Sequence, residues 1–352
     1  MTDRVLRVLV VDDSAYVRKV IKQMLSRSPF IDVVGTARDG EEGLTLVQEL
    51  HPDVVTVDLI MPGMGGLGFI RELMSRSPVP TVIVSIASET NQLVLDALDT
   101  GAIDFVQKPS ALASEKVFEM ADELIEKVKA AGNVRLSTRK SAPATVSSNS
   151  KPEPKHTLDI VLIGISTGGP QALKYLVPRF PSDFPLPIAI VMHMPVGYIE
   201  LYAQRLNDLC PLDVSEAQEG AEIRKGYVLL APAGRHLTFN RTKSGIVAHL
   251  DARPFDTLHR PSVDVLFRSA AETFGSGVLG VVMTGMGDDG KEGSSCIKSK
   301  GGIVFAEAEE SCTVFGMPRA IIEAGLATRT VPLQHLAEAI VEAAYGENSH
   351  RR

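Results

Sequence analysis

The sequence predicts an α/β protein built from two doubly wound, parallel-sheet domains. Short apolar runs alternate with stretches of helical period along most of the 352 residues, the pattern of strands joined by crossover helices. Residues able to do chemistry recur where those apolar runs end, as they do at the carboxyl edge of a parallel sheet. The alternation fails once, over residues 132–156, where Ser, Thr, Asn and Pro take over with Arg135, Arg139, Lys140, Lys151 and Lys155. Such a segment cannot bury enough apolar surface to offset its ordering entropy and reads as a flexible, solvated linker. The expected organisation is a first domain over 1–131, the linker over 132–156, a second domain over 157–347 and a disordered tail over 348–352.

In the first domain, residues 6–11 form an apolar strand that ends in Asp12 and Asp13. Ser14 suits the N-cap of the next helix, whose Val17, Val20, Ile21, Met24 and Leu25 share one face. Strand-like runs return at 33–34, 54–57, 81–86 and 103–106, and a closing helix over 115–131 carries Val117, Met120, Leu124 and Val128 on one side. Five such units imply a parallel sheet covered on both faces. Asp12, Asp13 and Asp58 then meet at one sheet edge with Ser85 and Lys108. Three carboxylates brought together repel and invite a hard divalent cation, Mg²⁺ foremost. Asp58 becomes a carboxylate able to accept a phosphoryl group, with the metal and Lys108 offsetting the developing charge.

The segments LRVLVVDDS, VVTVDLIMPGM, TVIVSIAS and DFVQKPS resemble a response-regulator receiver domain over the whole of this stretch. The resemblance implies a flavodoxin-like fold and phosphorylation of Asp58 by a histidine kinase. It makes Asp12 and Asp13 metal ligands, adds the backbone carbonyl of Ile60, and has Ser85, Phe105 and Lys108 respond to the phosphoryl group. Gly65 departs from the aspartate usual in that family, which bears on the local loop.

The second domain opens on an apolar run at 159–163 followed by Gly164-Ile165-Ser166-Thr167-Gly168-Gly169-Pro170. A serine on such a strand-to-helix turn stands clear of the sheet, and the flanking glycines let the backbone bend sharply. Pro170 suits the first helical turn, where its missing N–H costs nothing. The strand expected at 187–193 ends in His193, where a dinucleotide-binding unit would carry an acid. Residues 226–231, 237–240 and 246–250 read as short strands, the last two a hairpin across residues 242–245, an antiparallel excursion attached to the parallel sheet. His236, His249 and His259 lack metal-ligand spacing and read as surface or hairpin residues. A helix follows Pro261, and the strand at 278–283 runs into Thr284-Gly285-Met286-Gly287-Asp288-Asp289-Gly290. A further strand at 302–306, a short helix at 318–323 and an amphipathic helix at 333–344 close the domain. Glu307, Glu309 and Glu310 read as a solvated acidic loop. Serine, histidine and aspartate thus each follow a separate strand and can converge in one crevice, the arrangement nucleophilic acyl transfer needs. Chemistry alone does not choose between Asp288 and Asp289.

GISTGGP, MHMP, QEG, LLAPAGRHL, RPSVDVLF, TGMGDDG and FGMPRAI resemble the catalytic domain of the chemotaxis protein-glutamate methylesterases. With the receiver segment, the likeness covers nearly the whole chain. It implies Ser166 as nucleophile, His193 as base, Asp289 as orienting carboxylate, and Thr167 and Met286 as residues shaping the site or its oxyanion contacts. It also implies a Rossmann-like esterase domain, a methylesterase and glutamine deamidase acting on methyl-accepting chemoreceptors, a chemotaxis histidine kinase as phosphodonor, and no cofactor in the esterase site. The unphosphorylated receiver is expected to inhibit by covering the crevice.

Composition fits and excludes. A net charge of −7 argues against nucleic acid, no apolar run reaches a membrane span of about 20 residues, and the N-terminus lacks a secretory pattern. Cys210, Cys296 and Cys312 are scattered, which suggests neither disulfides nor zinc. A cytoplasmic enzyme without membrane insertion is expected. A DNA-binding regulator would need a compact basic helix-turn-helix after the linker, a nucleotide-dependent oxidoreductase would retain its cofactor, and a phosphorylation-dependent scaffold would leave Ser166 unreactive.

Overall fold

The computed structural model describes residues 4–86, 91–108, 116–134 and 157–346, with backbone alone at 116–119. The chain divides into two compact units, Met1–Arg139 and Lys140–Arg352. The linker expected over 132–156 lies, beyond Val134, outside the described residues, as does the tail expected at 348–352.

The first unit alternates β1 (Leu6–Val11), α1 (Ala15–Leu25), β2 (Ile31–Ala37), α2 (Gly40–Leu50), β3 (Val54–Val57), α3 (Gly65–Arg76), β4 (Thr81–Ile86), α4 (Asn91–Thr100), β5 (Asp104–Lys108) and α5 (Lys116–Gly132). Its five strands run in the order β2-β1-β3-β4-β5 with every neighbouring pair parallel. The chain steps from β1 to one side and then returns to build the other, so the switch point lies between β1 and β3. Asp12 and Asp58 leave those two strands side by side. The expected apolar face of α1 is buried: Ile21, Met24 and Leu25 pack with Leu124 and Val128 of α5 on Val8, Val10, Val54, Val82 and Val84 of the sheet. Ser14 caps α1, its hydroxyl accepting from the Val17 amide. At the start of α3, Met64 gives no side-chain cap and Gly65 takes φ +64°, a left-handed conformation that favours glycine.

The second unit comprises β6 (Ile160–Ile165), α6 (Gly169–Leu176), β7 (Ile188–Met192), α7 (Ile199–Asn207), β8 (Asp213–Glu216), β9 (Tyr227–Leu230), β10 (His236–Thr242), β11 (Gly245–Asp251), α8 (Val263–Phe274), β12 (Val278–Val282), α9 (Lys291–Ser299), β13 (Ile303–Glu307), α10 (Met317–Glu323), β14 (Arg329–Val331) and α11 (Leu333–Tyr345). Seven strands form one parallel sheet in the order β14-β13-β12-β6-β7-β9-β8. Its switch point lies between β6 and β12. The hairpin of β10 and β11 is a separate antiparallel sheet, whereas β9, the first of the three short strands, belongs to the parallel one. Strands β8 and β14 carry no apolar run that would signal them in sequence; DVSE and RTV are short and mostly polar.

The hairpin has a structural task. Leu237, Phe239 and Ala248 share a core with Leu266, Phe267 and Ala270 of α8 and with Ile160, Leu162 and Val278 of the sheet. Phe239 meets Phe274 edge-on, centroids 5.4 Å apart. Burying side chains of this size contributes about 1.5–3 kcal/mol each, so the hairpin holds α8 in place on the sheet. Among the described residues no helix is long and apolar enough to cross a membrane.

Candidate active site

Strands β6, β7 and β12 are neighbours at the centre of the second sheet, and each delivers one candidate residue. Ile165 pairs with Met192 in the ladder, so Ser166 and His193 leave adjacent strands at the same level; His193 N donates to Ile165 O at 3.2 Å. On the other side Ser166 N donates to Thr284 O at 3.0 Å, which pins the turn between both neighbours. Two glycines allow it. Gly168 has φ +80° and lies where a side chain would strike Thr313, while a side chain on Gly285 would come within 2.8 Å of Ser166 Cβ. The Ser166 side chain is left half-buried at the crevice.

His193 and Asp289 make a direct bond, Nε2 to Oδ2 at 2.9 Å, with both side chains about nine-tenths buried. The carboxylate can only accept, so Nε2 carries the proton and Nδ1 is left with a lone pair. Nδ1 is buried and hydrogen-bonds to no protein atom among the described residues. The serine–histidine hydrogen bond is therefore not made in this conformation; such contacts tighten when substrate binds. The ring is turned opposite to the chymotrypsin arrangement, in which Nδ1 faces the acid.

Asp289 also braces the N-terminus of α8, whose N-cap is Ser262. Besides His193 it accepts from Ser262 Oγ at 2.9 Å, Val263 N at 2.8 Å and Asp264 N at 2.9 Å. Burial alone would raise its pKa, but the bond and charge of His193 and the two helix amides outweigh it and hold the carboxyl well below the usual carboxylate range. The helix N-terminus thus supplies partial positive charge to an acid that must stay ionised. Burial, with the neighbouring Asp289 charge, pushes Asp264 up to about 6 despite the amide of Gly293 that it accepts at 2.6 Å. Asp288 is exposed, so geometry separates the two adjacent aspartates.

His236 lies on the hairpin, at the start of β10, but not on the surface; His259 is half-buried; and Glu307 is not the solvated loop acid expected. His236 is fully buried; its Nδ1 accepts from Ser262 N at 3.2 Å and its Nε2 faces Pro254 O at 3.1 Å, a pairing that fixes the Nε2–H tautomer. His259 stacks on His193, ring centroids 4.0 Å apart and planes 25° apart. Glu307 is fully buried at the end of β13, accepting from Thr284 N at 2.9 Å and Ser311 Oγ at 2.9 Å; Glu309 and Glu310 are exposed as expected. Local spacing could reveal none of these, because each side chain finds its partner on a distant element. His249 also lies on the hairpin, bonded to Glu219 at 2.9 Å. Thr167 is buried, its carbonyl accepting from Thr284 Oγ1 at 2.9 Å, and Met286 is half-buried in the loop after β12.

In the first unit, Lys108 Nζ donates to Asp12 Oδ2 and to Asp58 Oδ2, both at 2.6 Å. Asp58 Oδ1 accepts from Ser85 Oγ at 3.2 Å and from Ile60 N at 3.3 Å. Burial raises the pKa of Asp12, opposed by Lys108. Asp12, Asp13 and Asp58 can each bring one carboxylate oxygen within 4.8 Å of the others, a hard-oxygen set that fits a divalent cation. Phe105 is buried, and Lys127 Nζ bonds its carbonyl at 2.6 Å. Gly66 abuts the Asp58 carbonyl so closely that a side chain there would collide with it.

The family model for the CheB methylesterase matches residues 161–340, and that for the response regulator receiver domain matches residues 8–120. The chain belongs to the CheB methylesterase family. A protein-glutamate methylesterase/protein-glutamine glutaminase of Myxococcus xanthus is 49% identical over 94% of this chain and 95% of its own length. One from Halalkalibacterium halodurans is 45% identical over 96% and 97%. The crystal structure of the Thermotoga maritima CheB methylesterase catalytic domain superposes with a TM-score of 0.52 at 40% identity, covering 53% of this chain and 98% of that one. The β6–β7–β12 crevice lies inside the segment matched by the CheB methylesterase model, and the Asp12–Asp58–Lys108 pocket inside the receiver match.

Proposed function

We propose that this chain is a phosphorylation-controlled serine esterase that demethylates γ-glutamyl methyl esters on cytoplasmic regions of chemoreceptors, and deamidates glutamines there, in chemotaxis adaptation. The observation that carries the reading is the His193–Asp289 bond, which leaves a buried basic nitrogen one strand from Ser166. His193 Nδ1 takes the serine proton as Oγ adds to the ester carbonyl. The tetrahedral intermediate collapses, His193 returns the proton to the leaving methoxide, and methanol departs from a γ-glutamyl-serine ester. Water then attacks that ester, again losing a proton to Nδ1, and serine leaves reprotonated with glutamate freed. A glutamine side chain follows the same path with ammonia as the leaving group. Asp289 keeps the imidazole oriented and stabilises the imidazolium. Thr167 and Met286 match positions that flank the family's active site and are assigned to shaping the site or its oxyanion contacts.

In the receiver unit Asp58 is the phosphoryl acceptor and a chemotaxis histidine kinase the donor. Asp12, Asp13, Asp58 and the Ile60 carbonyl would hold Mg²⁺, which when bound neutralises charge on the transferred group. Lys108 and Ser85, now bonded to Asp58, would turn to the phosphoryl oxygens, and Phe105 would register the change. Methanol release from methylated receptor membranes is the test: Ser166→Ala should abolish it, and equal rates for native and variant chains would defeat the esterase assignment.

A further inference from the structure

Among the described residues of the second unit, Glu307 is the one acid with no exposed surface, and the mechanism above gives it no part. Both of its oxygens are bonded: Oε2 accepts from Thr284 N at 2.9 Å and Oε1 from Ser311 Oγ at 2.9 Å. A buried carboxylate is tolerated only when its oxygens are paired in this way. Ser311 Oγ in turn accepts from Leu333 N at 2.9 Å, which braces the acid against the start of α11. The β12–β13 ladder ends where Val282 faces Ala306. Glu307, one residue further along β13, reaches the Thr284 amide with its side chain instead, beyond the last rung.

Thr284 passes that hold on to the nucleophile. Its carbonyl accepts from Ser166 N at 3.0 Å. Its hydroxyl donates to Thr167 O at 2.9 Å and accepts from Val314 N at 2.9 Å. Amide, carbonyl and hydroxyl are thus all engaged, with partners on β13, on the Ser166 turn and on the loop before α10. The peptide group before Ser166 and the one after Thr167 are both gripped by this single residue. Between them, the Ser166 carbonyl accepts from Gly169 N at 2.7 Å. The turn that presents Ser166 Oγ therefore follows Thr284 wherever Thr284 is set. Resting on the esterase reading above, we propose that Glu307 is a positioning residue for the nucleophile: by accepting from the Thr284 amide, it sets the residue that holds both ends of the Ser166–Thr167 turn. Glu307 touches no substrate. What it supplies is an acceptor at a fixed reach, not a charge. The reach matters because Ser166 Oγ has to come into line with His193 Nδ1, and a displacement of about 1 Å in a reacting pair costs roughly a hundredfold in rate.

The test uses the full chain and separates reach from charge. Glu307→Gln keeps an oxygen at the same distance and loses the charge. Glu307→Asp keeps the charge and draws it back by about 1.5 Å, out of bonding range of Thr284 N. Thr284→Val removes the hydroxyl while keeping the shape, and Thr284→Ser restores it. Methanol release from methylated receptor membranes is measured well below the melting temperature of each variant, so that all of the chain is folded. The expected result is a loss of kcat of roughly ten- to a hundredfold in Glu307→Asp and Thr284→Val, with KM within about twofold of native. Glu307→Gln and Thr284→Ser should recover most of the native kcat. A native kcat in Glu307→Asp would overturn the proposal, whatever its melting temperature, because the acid would then serve the fold alone. So would equal losses in the Asp and Gln variants, or a change confined to KM. Should Glu307→Asp fail to fold, Thr284→Val decides: a native kcat there would show that the turn is not held through Thr284. If the native chain released no methanol, the esterase reading itself would fall, an outcome separate from all of these.

Discussion

The imidazole of His259 lies flat against that of His193, centroids 4.0 Å apart. His193 is thus held at its edge by Asp289 and across its face by a second ring. The acid fixes which nitrogen carries the proton, and the stack restricts rotation of the ring out of line with Ser166. Stacked ring pairs contribute about 0.5–1.5 kcal/mol, which bounds what this contact can supply. His259→Ala is expected to lower kcat roughly two- to tenfold, and His259→Phe, which keeps a ring, to recover most of it. An alanine variant with native kcat would deny the ring any positioning role.

Asp289→Asn should cost far more. The asparagine presents an amide in place of an acceptor-only carboxylate and loses the charge that stabilises the imidazolium. In a comparable triad this change costs roughly 10⁴-fold in kcat, and a similar loss is expected here, with Asp288→Asn close to native. Steady-state hydrolysis by the two variants decides between the adjacent acids, and the reverse ranking would refute the geometry.

Ser262 serves the helix and the acid together. Its hydroxyl accepts from Val265 N and donates to Asp289. Ser262→Ala should destabilise the unit by about 1 kcal/mol through the lost cap and lower kcat as Asp289 loses one of its donors. Thermal unfolding and esterase rate, measured on one preparation, should both fall; a drop in stability with full activity would separate the two roles.

Asp264 makes a pH prediction. Its folded pKa of about 6 stands above its ordinary 3.8, so the folded state holds its proton more tightly than the unfolded state does. The sign follows: stability owed to Asp264 is full below about pH 4 and is lost as pH rises through 6. Asp264→Asn keeps an acceptor for Gly293 N and removes the titration. The melting temperature of the variant minus that of the native chain should therefore rise between pH 4 and 7, and a flat or falling difference would rule out the linkage.

For the receiver unit, acetyl phosphate with Mg²⁺ should label Asp58 and raise methanol release. EDTA, or Asp58→Asn, should remove both effects. Labelling that survives chelation would argue against a cation among Asp12, Asp13 and Asp58.

Much of this was legible before any coordinates. Apolar runs located both sheets, and the residues ending them marked the switch points: Asp12 and Asp58 in one unit, Ser166 and the Thr284–Asp289 loop in the other. Legibility failed where partners are far apart in sequence. Glu307 looks like one of three loop acids, yet it is drawn inward by the Thr284 amide and Ser311. His236 lies at the start of a hairpin strand, and nothing near it in sequence indicates that Ser262 N will seek its Nδ1. Strands β8 and β14 leave no mark in the sequence because edge strands this short need little apolar sequence of their own.

The order of residues along the chain determined the α/β class, the elements that end in chemistry, and the residue types available there, because hydrophobic period and turn composition are local properties. The family resemblance already implied Asp289 as the acid for His193, though chemistry and spacing did not. Only the tertiary structure decided which nitrogen of His193 stays free and which ring lies against it. Those outcomes depend on how the hairpin seats α8 and on which strands become neighbours, and packing between distant segments settles them.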